Sequence, residues 1–333
     1  MPTPRHFRAR YASRLNSFAS APELAWGAGD NGPTVAQLVG RAATVRGLTH
    51  LDLNYPDHVT GNGVDAVRAA RDVGLEINGF AMRYYTDPGF KRGAFSNPDA
   101  AVRRKAIDLT KRGMDDAAEA GVGLMTIWLG QDGFDVPFQA DYAQLWDWEI
   151  AGIREVAEHN PDMDVSLEYK PNEPRAFALL PDATTTLLAI AEAGCANLGV
   201  TLDFAHMLYA NEQPAYAAML VHRQSRVLGL HLNDAYAKRD DGLMVAAVHT
   251  LQTIELLRRI RQDGYQGVVY FDTFPDQSGL DPVAECEANI MTVESMLDVI
   301  DRIDGDNALP EAIAAQDGIA VQRIVQQCMF HRS

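Results

Sequence analysis

Seven residues of the kinds that bind cations or move protons fall at the ends of short apolar runs in the second half of the chain: Glu168 and Lys170, Asp203 and His206, His231 and Asp234, and Asp272. Gathered at one point, the carboxylates would repel one another and lose hydration. A divalent cation removes both difficulties. Three carboxylates with one imidazole make an oxygen-rich donor set that suits Mn²⁺, Mg²⁺ or Co²⁺ better than a thiolate-loving metal. A single Asp at a strand end is more often a helix cap than a ligand, but four such groups in succession are harder to explain as caps. Glu168, Asp203, His231 and Asp272 are therefore expected to form a metal site. His206 stands three residues after Asp203, and where a strand gives way to a turn that offset lets both face one cavity. It is expected to hold a second cation with Asp203 as the bridge. Asp240 and Asp241, in Lys-Arg-Asp-Asp-Gly, either complete that second site or form a solvated acidic loop.

The elements that must position these residues are legible as an alternation. Apolar runs at 48–54, 75–82, 122–129, 165–170, 198–203, 227–232 and 268–272 predict strands, with a weaker run at 15–18 as the first. Amphipathic stretches such as 99–119, 143–159, 183–193, 214–221 and 248–263 predict helices between them. Gly47, Gly74, Gly121 and Gly267 each precede a strand and are expected to end a helix. Repeated strand–helix units imply parallel strands with right-handed crossovers. Eight of them suit an α/β (β/α)8 TIM barrel of about 250 residues plus extensions. An open doubly wound sheet would want a GxGxxG turn after its first strand, and the chain has none there. The expected layout is a barrel over 1–302 and a C-terminal helical extension over 303–333, which either packs on the barrel or serves as an oligomerisation arm. A barrel carries its site at the C-terminal ends of the strands, where these seven residues lie.

Composition narrows the partners. With 29 Lys and Arg against 45 Asp and Glu, the 333-residue chain has a formal charge of −16, which argues against nucleic acid or an anionic membrane surface. At 47% hydrophobic and 22% charged it reads as a globular chain. Cys195, Cys286 and Cys328 form no CxxC pair and no disulfide framework, so a reducing cytoplasm is the expected setting. Residues 1–14 carry arginines with no apolar run behind them, unlike a secretory signal. No stretch approaches the roughly 18 apolar residues of a membrane helix.

The most distinctive local pattern is Glu-Tyr-Lys-Pro-Asn-Glu-Pro-Arg at 168–175. It resembles the Glu-x-Lys-Pro-Asn-Glu-Pro-Arg signature of xylose isomerases. The likeness extends upstream to Phe-Lys-Arg-Gly-Ala-Phe-Ser at 90–96, to Val-Arg-Arg-Lys-Ala at 102–106, and to Trp-Leu-Gly-Gln-Asp-Gly at 128–133. That last segment is similar to the family's Trp-Gly-Gly-Arg-Glu-Gly turn. Downstream, Asp203-Phe-Ala-His206 stands where the family has Glu-x-x-His, and Phe271-Asp272 resembles its last ligand. His231 at the head of His-Leu-Asn-Asp is more like the rhamnose isomerase branch. The match spans roughly 75–275.

This resemblance implies a two-metal aldose–ketose isomerase that uses Mn²⁺ or Mg²⁺, with Co²⁺ as a further option, and works by a metal-assisted 1,2-hydride shift. It assigns Glu168, Asp203, His231 and Asp272 to the structural metal that grips substrate hydroxyls. It gives Asp203, His206 and Asp240 or Asp241 to the catalytic metal. Lys170 would hydrogen-bond the sugar carbonyl, and Trp128 would wall the site against water or simply pack the core. The family implies a small-molecule sugar substrate and a homodimer or homotetramer. Two departures stand out. Where the family's ring-opening histidine follows the second strand this chain offers Asn54, a candidate substrate contact, with Asp52 beside it, and Arg239 interrupts the Asp-rich loop. A 3-epimerase of the same superfamily uses a carboxylate pair for proton removal and return, usually with Glu on the last strand where this chain has Asp272. A three-zinc barrel endonuclease would want more than nine His and a basic face. A non-catalytic sugar-binding barrel would have little use for a matched cluster.

Overall fold

The computed structural model describes residues 9–27, 32–59 and 62–330. The arginine-bearing stretch before Ala9 and the last three residues of the expected extension lie outside them. Eight parallel strands close into a barrel in chain order: β1 (Tyr11–Arg14), β2 (His50–Tyr55), β3 (Glu76–Met82), β4 (Leu124–Trp128), β5 (Asp164–Glu168), β6 (Leu198–Asp203), β7 (Val227–Leu232) and β8 (Val269–Phe271). Each is followed by a helix: α1 (Val35–Ala42), α2 (Gly63–Arg71), α3 (Ala100–Glu119), α4 (Tyr142–His159), α5 (Ala183–Ala193), α6 (Pro214–Gln224), α7 (Thr250–Gln262) and α8 (Pro282–Asp304). This is the expected TIM barrel.

The local chemistry explains the boundaries. β6 is buried at every position, as a strand covered on both faces should be, which is why it reads as an unbroken apolar run. Asp99, Asp141, Asp182 and Asp281 cap α3, α4, α5 and α8 by accepting hydrogen bonds from backbone N–H groups of the first turn. Gly47, Gly74 and Gly121 take φ of 92°, 87° and 74°, the left-handed conformation expected past a helix end. Gly267 does not. Gly264, at φ 76°, ends α7 instead, with Tyr265 N–H returning to the Ile260 carbonyl.

One strand differs from expectation. Residues 15–18 form a 3₁₀ turn, Leu15–Ala19, and the first strand lies just before it. Ser13 and Arg14 break the apolar signal in Tyr11–Arg14, and what makes the segment a strand is long-range pairing, Tyr11 with Val269 and Ser13 with Leu51. Leu15 and Phe18 are buried as plugs. At the other end, α8 runs to Asp304, two residues beyond the expected barrel boundary, and α9 (Leu309–Ala314) and α10 (Gly318–Phe330) make up the extension. It packs inward through Leu309, Ala312 and Ile324, and Arg302 donates to the Cys328 carbonyl at 2.8 Å. Among the described residues no helix is long and apolar enough to cross a membrane.

Register sets the heights at the mouth. Trp128 pairs with Glu168, Asp203 pairs with His231, and His231 pairs with Tyr270, two residues before Asp272. The barrel closes where β8 meets β1, and there Phe271, fully buried, stacks on Tyr11 with ring centroids 5.7 Å apart. Phe271→Ala should destabilise the chain by about 3–5 kcal/mol through transfer and cavity costs. Urea unfolding measures this, and a loss under about 1 kcal/mol would show that the seam carries little of the stability.

Candidate active site

Glu168 closes β5, Asp203 closes β6, His231 lies in β7 and Asp272 follows β8, so four neighbouring strands each deliver one donor. One ligand atom from each lies within 4.8 Å of all the others. His231 Nδ1 is 3.5 Å from Glu168 Oε1 and 3.9 Å from Asp203 Oδ2. His206 Nδ1 is 3.6 Å from Glu168 Oε1 and 3.9 Å from Asp203 Oδ1, while its Nε2 reaches Asp240 Oδ2 at 3.3 Å.

Asp203 caps a helix and also belongs to the cluster. Its Oδ1 accepts the His206 N–H at 3.0 Å and so caps the short helix Phe204–Tyr209, which turns the His206 ring toward the cluster. Asn233, which the sequence reading passed over, donates to both Asp203 oxygens at 3.2 and 3.1 Å and accepts from the Ala205 N–H. It lies in the His-Leu-Asn-Asp segment, where the acidic residue drew the attention. Asp234 itself is turned away, accepting from the backbone N–H groups of Ala235, Val248 and His249 and lying 2.8 Å from His249 Nδ1.

Electrostatically the cluster lacks positive charge. Burial pushes Asp203 up to about 7, reinforced by the charges of Asp240, Asp272 and Glu168. Burial also raises Asp272, beside Glu168. Burial disfavours the imidazolium of His206 and of His231, yet the surrounding carboxylates, Asp203 foremost for His206 and Glu168 for His231, raise both rings to about 9. Burial would raise Glu168 too, but His231 beside it pulls it down to about 2. His206 Nδ1, His231 Nδ1 and Asp240 Oδ1 are buried and have no hydrogen-bond partner among the described residues. Unpartnered imidazole nitrogens facing clustered carboxylates fit a divalent cation, with Glu168, Asp203, His231 and Asp272 able to hold one and His206 with Asp240 extending the set.

The segment 168–175 continues from β5 over the mouth. Lys170 Nζ sits between Glu173 Oε2 and Asp240 Oδ2, 3.1 Å from each, and 5.4 Å from the centroid of the Trp128 ring. Burial alone would lower its pKa, but those two carboxylates outweigh it, so the group stays an ammonium. Tyr169 donates to Glu212, Asn172 accepts from Tyr209, and Arg175 pairs with Asp135 at 2.9 Å. A ribbon of Gly133–Phe134 against Phe177–Ala178 fastens the segment to the loop after β4.

The cavity above the cluster measures about 380 Å³, within the range of small-ligand sites. Its walls include Glu168, Lys170, His206, Asp240, Asp272 and Trp128. They also include Arg14, Arg83, Gln131 and Glu173, which the sequence reading missed. Of the expected residues, two stand elsewhere. Asn54 is not among the lining residues, because its side-chain oxygen accepts from Arg83 Nε at 2.9 Å. Asp241 turns outward to the Tyr236 N–H and to Arg239, leaving Asp240 as the one of the pair at the site.

A family model described as the xylose isomerase-like TIM barrel matches residues 53–295. The chain belongs to that family. Among curated proteins, a xylose isomerase from Thermus thermophilus is 28% identical over 211 residues, an alignment that covers 62% of this chain and 54% of the relative. A second, from Thermus caldophilus, is 27% identical with the same coverage, so the chain spans about half the length of the curated relatives it matches. Among solved structures, an L-ribulose 3-epimerase shares the fold at a TM-score of 0.67 and 16% identity, covering 88% of this chain and 96% of that one.

The pH response of the cation-free protein follows from these pKa values. His206 and His231 are raised from 6.5 to about 9 and Asp203 from 3.8 to about 7, so all three bind protons more tightly when folded. Their stabilisation is complete below the unfolded values and is lost as pH rises through the folded ones. Thermal unfolding of EDTA-treated protein should therefore show a falling Tm between pH 6.5 and about 9. Added Mn²⁺ should restore it, more strongly at pH 8 than at pH 6 as protons cease to compete. A Tm that is flat with pH and indifferent to Mn²⁺ would contradict the electrostatic reading.

Proposed function

We propose that the chain is a divalent-metal-dependent aldose–ketose isomerase that transfers a hydride between C2 and C1 of an open-chain sugar. The observation that carries this reading is Lys170, a buried ammonium 3.1 Å from Asp240 at the rim of the four-ligand cluster. A cation bound at Glu168, Asp203, His231 and Asp272 would supply Lewis-acid polarisation of the carbonyl and a template for two substrate oxygens. The protein's own part is then specific. Lys170 donates a hydrogen bond where negative charge gathers on the carbonyl oxygen, in a pocket where such a donor is worth more than in water. The Trp128 ring beneath it presents an apolar wall that keeps water from the migrating hydride. The hydride passes from C2 to C1 within the substrate while the O2 proton moves to O1, so no external oxidant or reductant is needed. His206 and Asp240, adjoining the cluster and sharing its charge, supply the donors for a second cation, with Mn²⁺ or Mg²⁺ as the ions these oxygen-rich donors favour.

A second reading, a ketose 3-epimerase, has a specific support: Glu168 and Asp272 occupy the same cluster and could take and return a proton on opposite faces of one carbon. That scheme leaves Lys170 without a role. Proton NMR of a sugar panel in D₂O, with Mn²⁺ or Mg²⁺ restored after chelation, separates the two. The isomerase converts an aldose to a ketose without taking up solvent deuterium; uptake at C3 would mean epimerisation. In the same assay Lys170→Met should lower kcat by about 10²–10³-fold, as loss of an oxyanion donor does elsewhere. Its bound metal, measured by atomic emission, should stay at the wild-type level. Unchanged turnover would remove Lys170 from the chemistry.

A further inference from the structure

The cation cluster occupies only the half of the mouth built from β5 to β8. The opposite wall comes from β1 to β4 and carries Arg14, Arg83, Trp128 and Gln131. Three permanent cations line the cavity, and two of them are already matched: Lys170 by Glu173 and Asp240, and Arg14 by Asp276 at 2.8 Å and Asp272 at 3.9 Å. Arg83 makes no ion pair among the described residues. Only its Nε is engaged, donating to Asn54 Oδ1 at 2.9 Å, which leaves both terminal amino groups of the fork without a protein acceptor.

Arg83 is nevertheless held in place. The Asn54 N–H donates to His58 Nδ1 at 3.1 Å, so that nitrogen is the acceptor and Nε2 carries the proton it shares with Asn16 Oδ1 at 2.5 Å. The chain Asn16–His58–Asn54–Arg83 thus runs from the end of β1 to the end of β3, with His58 and Asn54 buried in its middle. Burial, with Arg83 and Arg14 nearby, drives His58 down to about 4 and keeps it uncharged. A fixed guanidinium with two free donor groups matches a planar carboxylate or a phosphate bidentately. Asp52, Asp57 and Glu168 feel the Arg83 charge without bonding to it, so its two terminal amino groups stay open to an acceptor on a ligand.

We propose that the substrate carries an anionic group, a carboxylate or a phosphate, on the end remote from the reacting carbonyl, and that Arg83 binds it. The assignment rests on the isomerase reading for which end reacts, while anion binding itself can be tested without turnover. Sorbitol, gluconate and sorbitol 6-phosphate form a matched set without a sugar carbonyl, so none can be isomerised. Isothermal titration of each into the Mg²⁺-loaded full chain should show at least one anion binding about 10- to 100-fold more tightly than sorbitol. Preference for gluconate alone would identify a carboxylate, and for sorbitol 6-phosphate alone a phosphate. In Arg83→Met the anion-to-sorbitol ratio should fall below about threefold, and Arg83→Lys, which keeps the charge but not the fork, should retain part of it. Equal binding of all three probes by the wild type would overturn the proposal. So would an anion preference undiminished in Arg83→Met, which would put the anion on the cation or on Lys170. If the deuterium experiment finds no isomerisation while the titration shows the anion preference, the isomerase reading fails and the anion site stands.

Discussion

Four carboxylates, Glu168, Asp203, Asp240 and Asp272, crowd the mouth of one barrel, two of them buried and two half-buried. Their repulsion is the constraint to which the surrounding structure responds. Left to themselves they would part or take up protons. Instead, three are fixed at the ends of different barrel strands, so parting would mean breaking the sheet, and the fourth is gripped between Lys170 and His206. Asn233 donates from its amide to both Asp203 oxygens and to the Asp272 carbonyl, and His206 offers a backbone N–H to Asp203. The two imidazoles charge themselves to fill part of the deficit. A centre that draws protons onto its own ligands is one that a divalent cation relieves.

The segment 168–175 shows how much positioning one short string of residues can perform. Glu168 belongs to the cluster and Lys170 to the rim. Tyr169 and Asn172 tie the segment to the loop after β6, and Arg175 ties it to the loop after β4. Nearly every side chain in it has a separate partner drawn from a different part of the chain. That explains why a pattern of eight residues can carry so much information about its surroundings.

What could be read from the sequence divides along the same physical line. β6 and β7 were legible because strands covered on both faces must be apolar throughout, and the polar residues that close them then stand out. β1 was not, since its four residues owe their conformation to β8 and β2, partners that lie far off in the chain. The cluster residues on β5 to β8 stand out in the sequence because each sits at or just beyond the end of an apolar run. Arg83 follows β3 directly, but a lone arginine after an apolar run has no pattern, and its meaning comes only from the terminal amino groups that the fold leaves without an acceptor. Asn54, read from its place after the second strand as a candidate substrate contact, accepts from Arg83 Nε. Asp240 and Asp241 differ by one position in a loop without periodicity, so only the folded chain could tell which of them faces inward.

Asp203 is at once a member of the four-donor cluster and the cap of Phe204–Tyr209. The hydrogen bonds that aim its oxygens come from backbone and amide donors that exist whether or not an ion is present. The arrangement of donors is therefore assembled by folding alone. An arriving ion has to shed water but need not reorganise the chain. For any divalent ion that binds there, replacement by another becomes a question of hydration and ionic radius rather than of refolding.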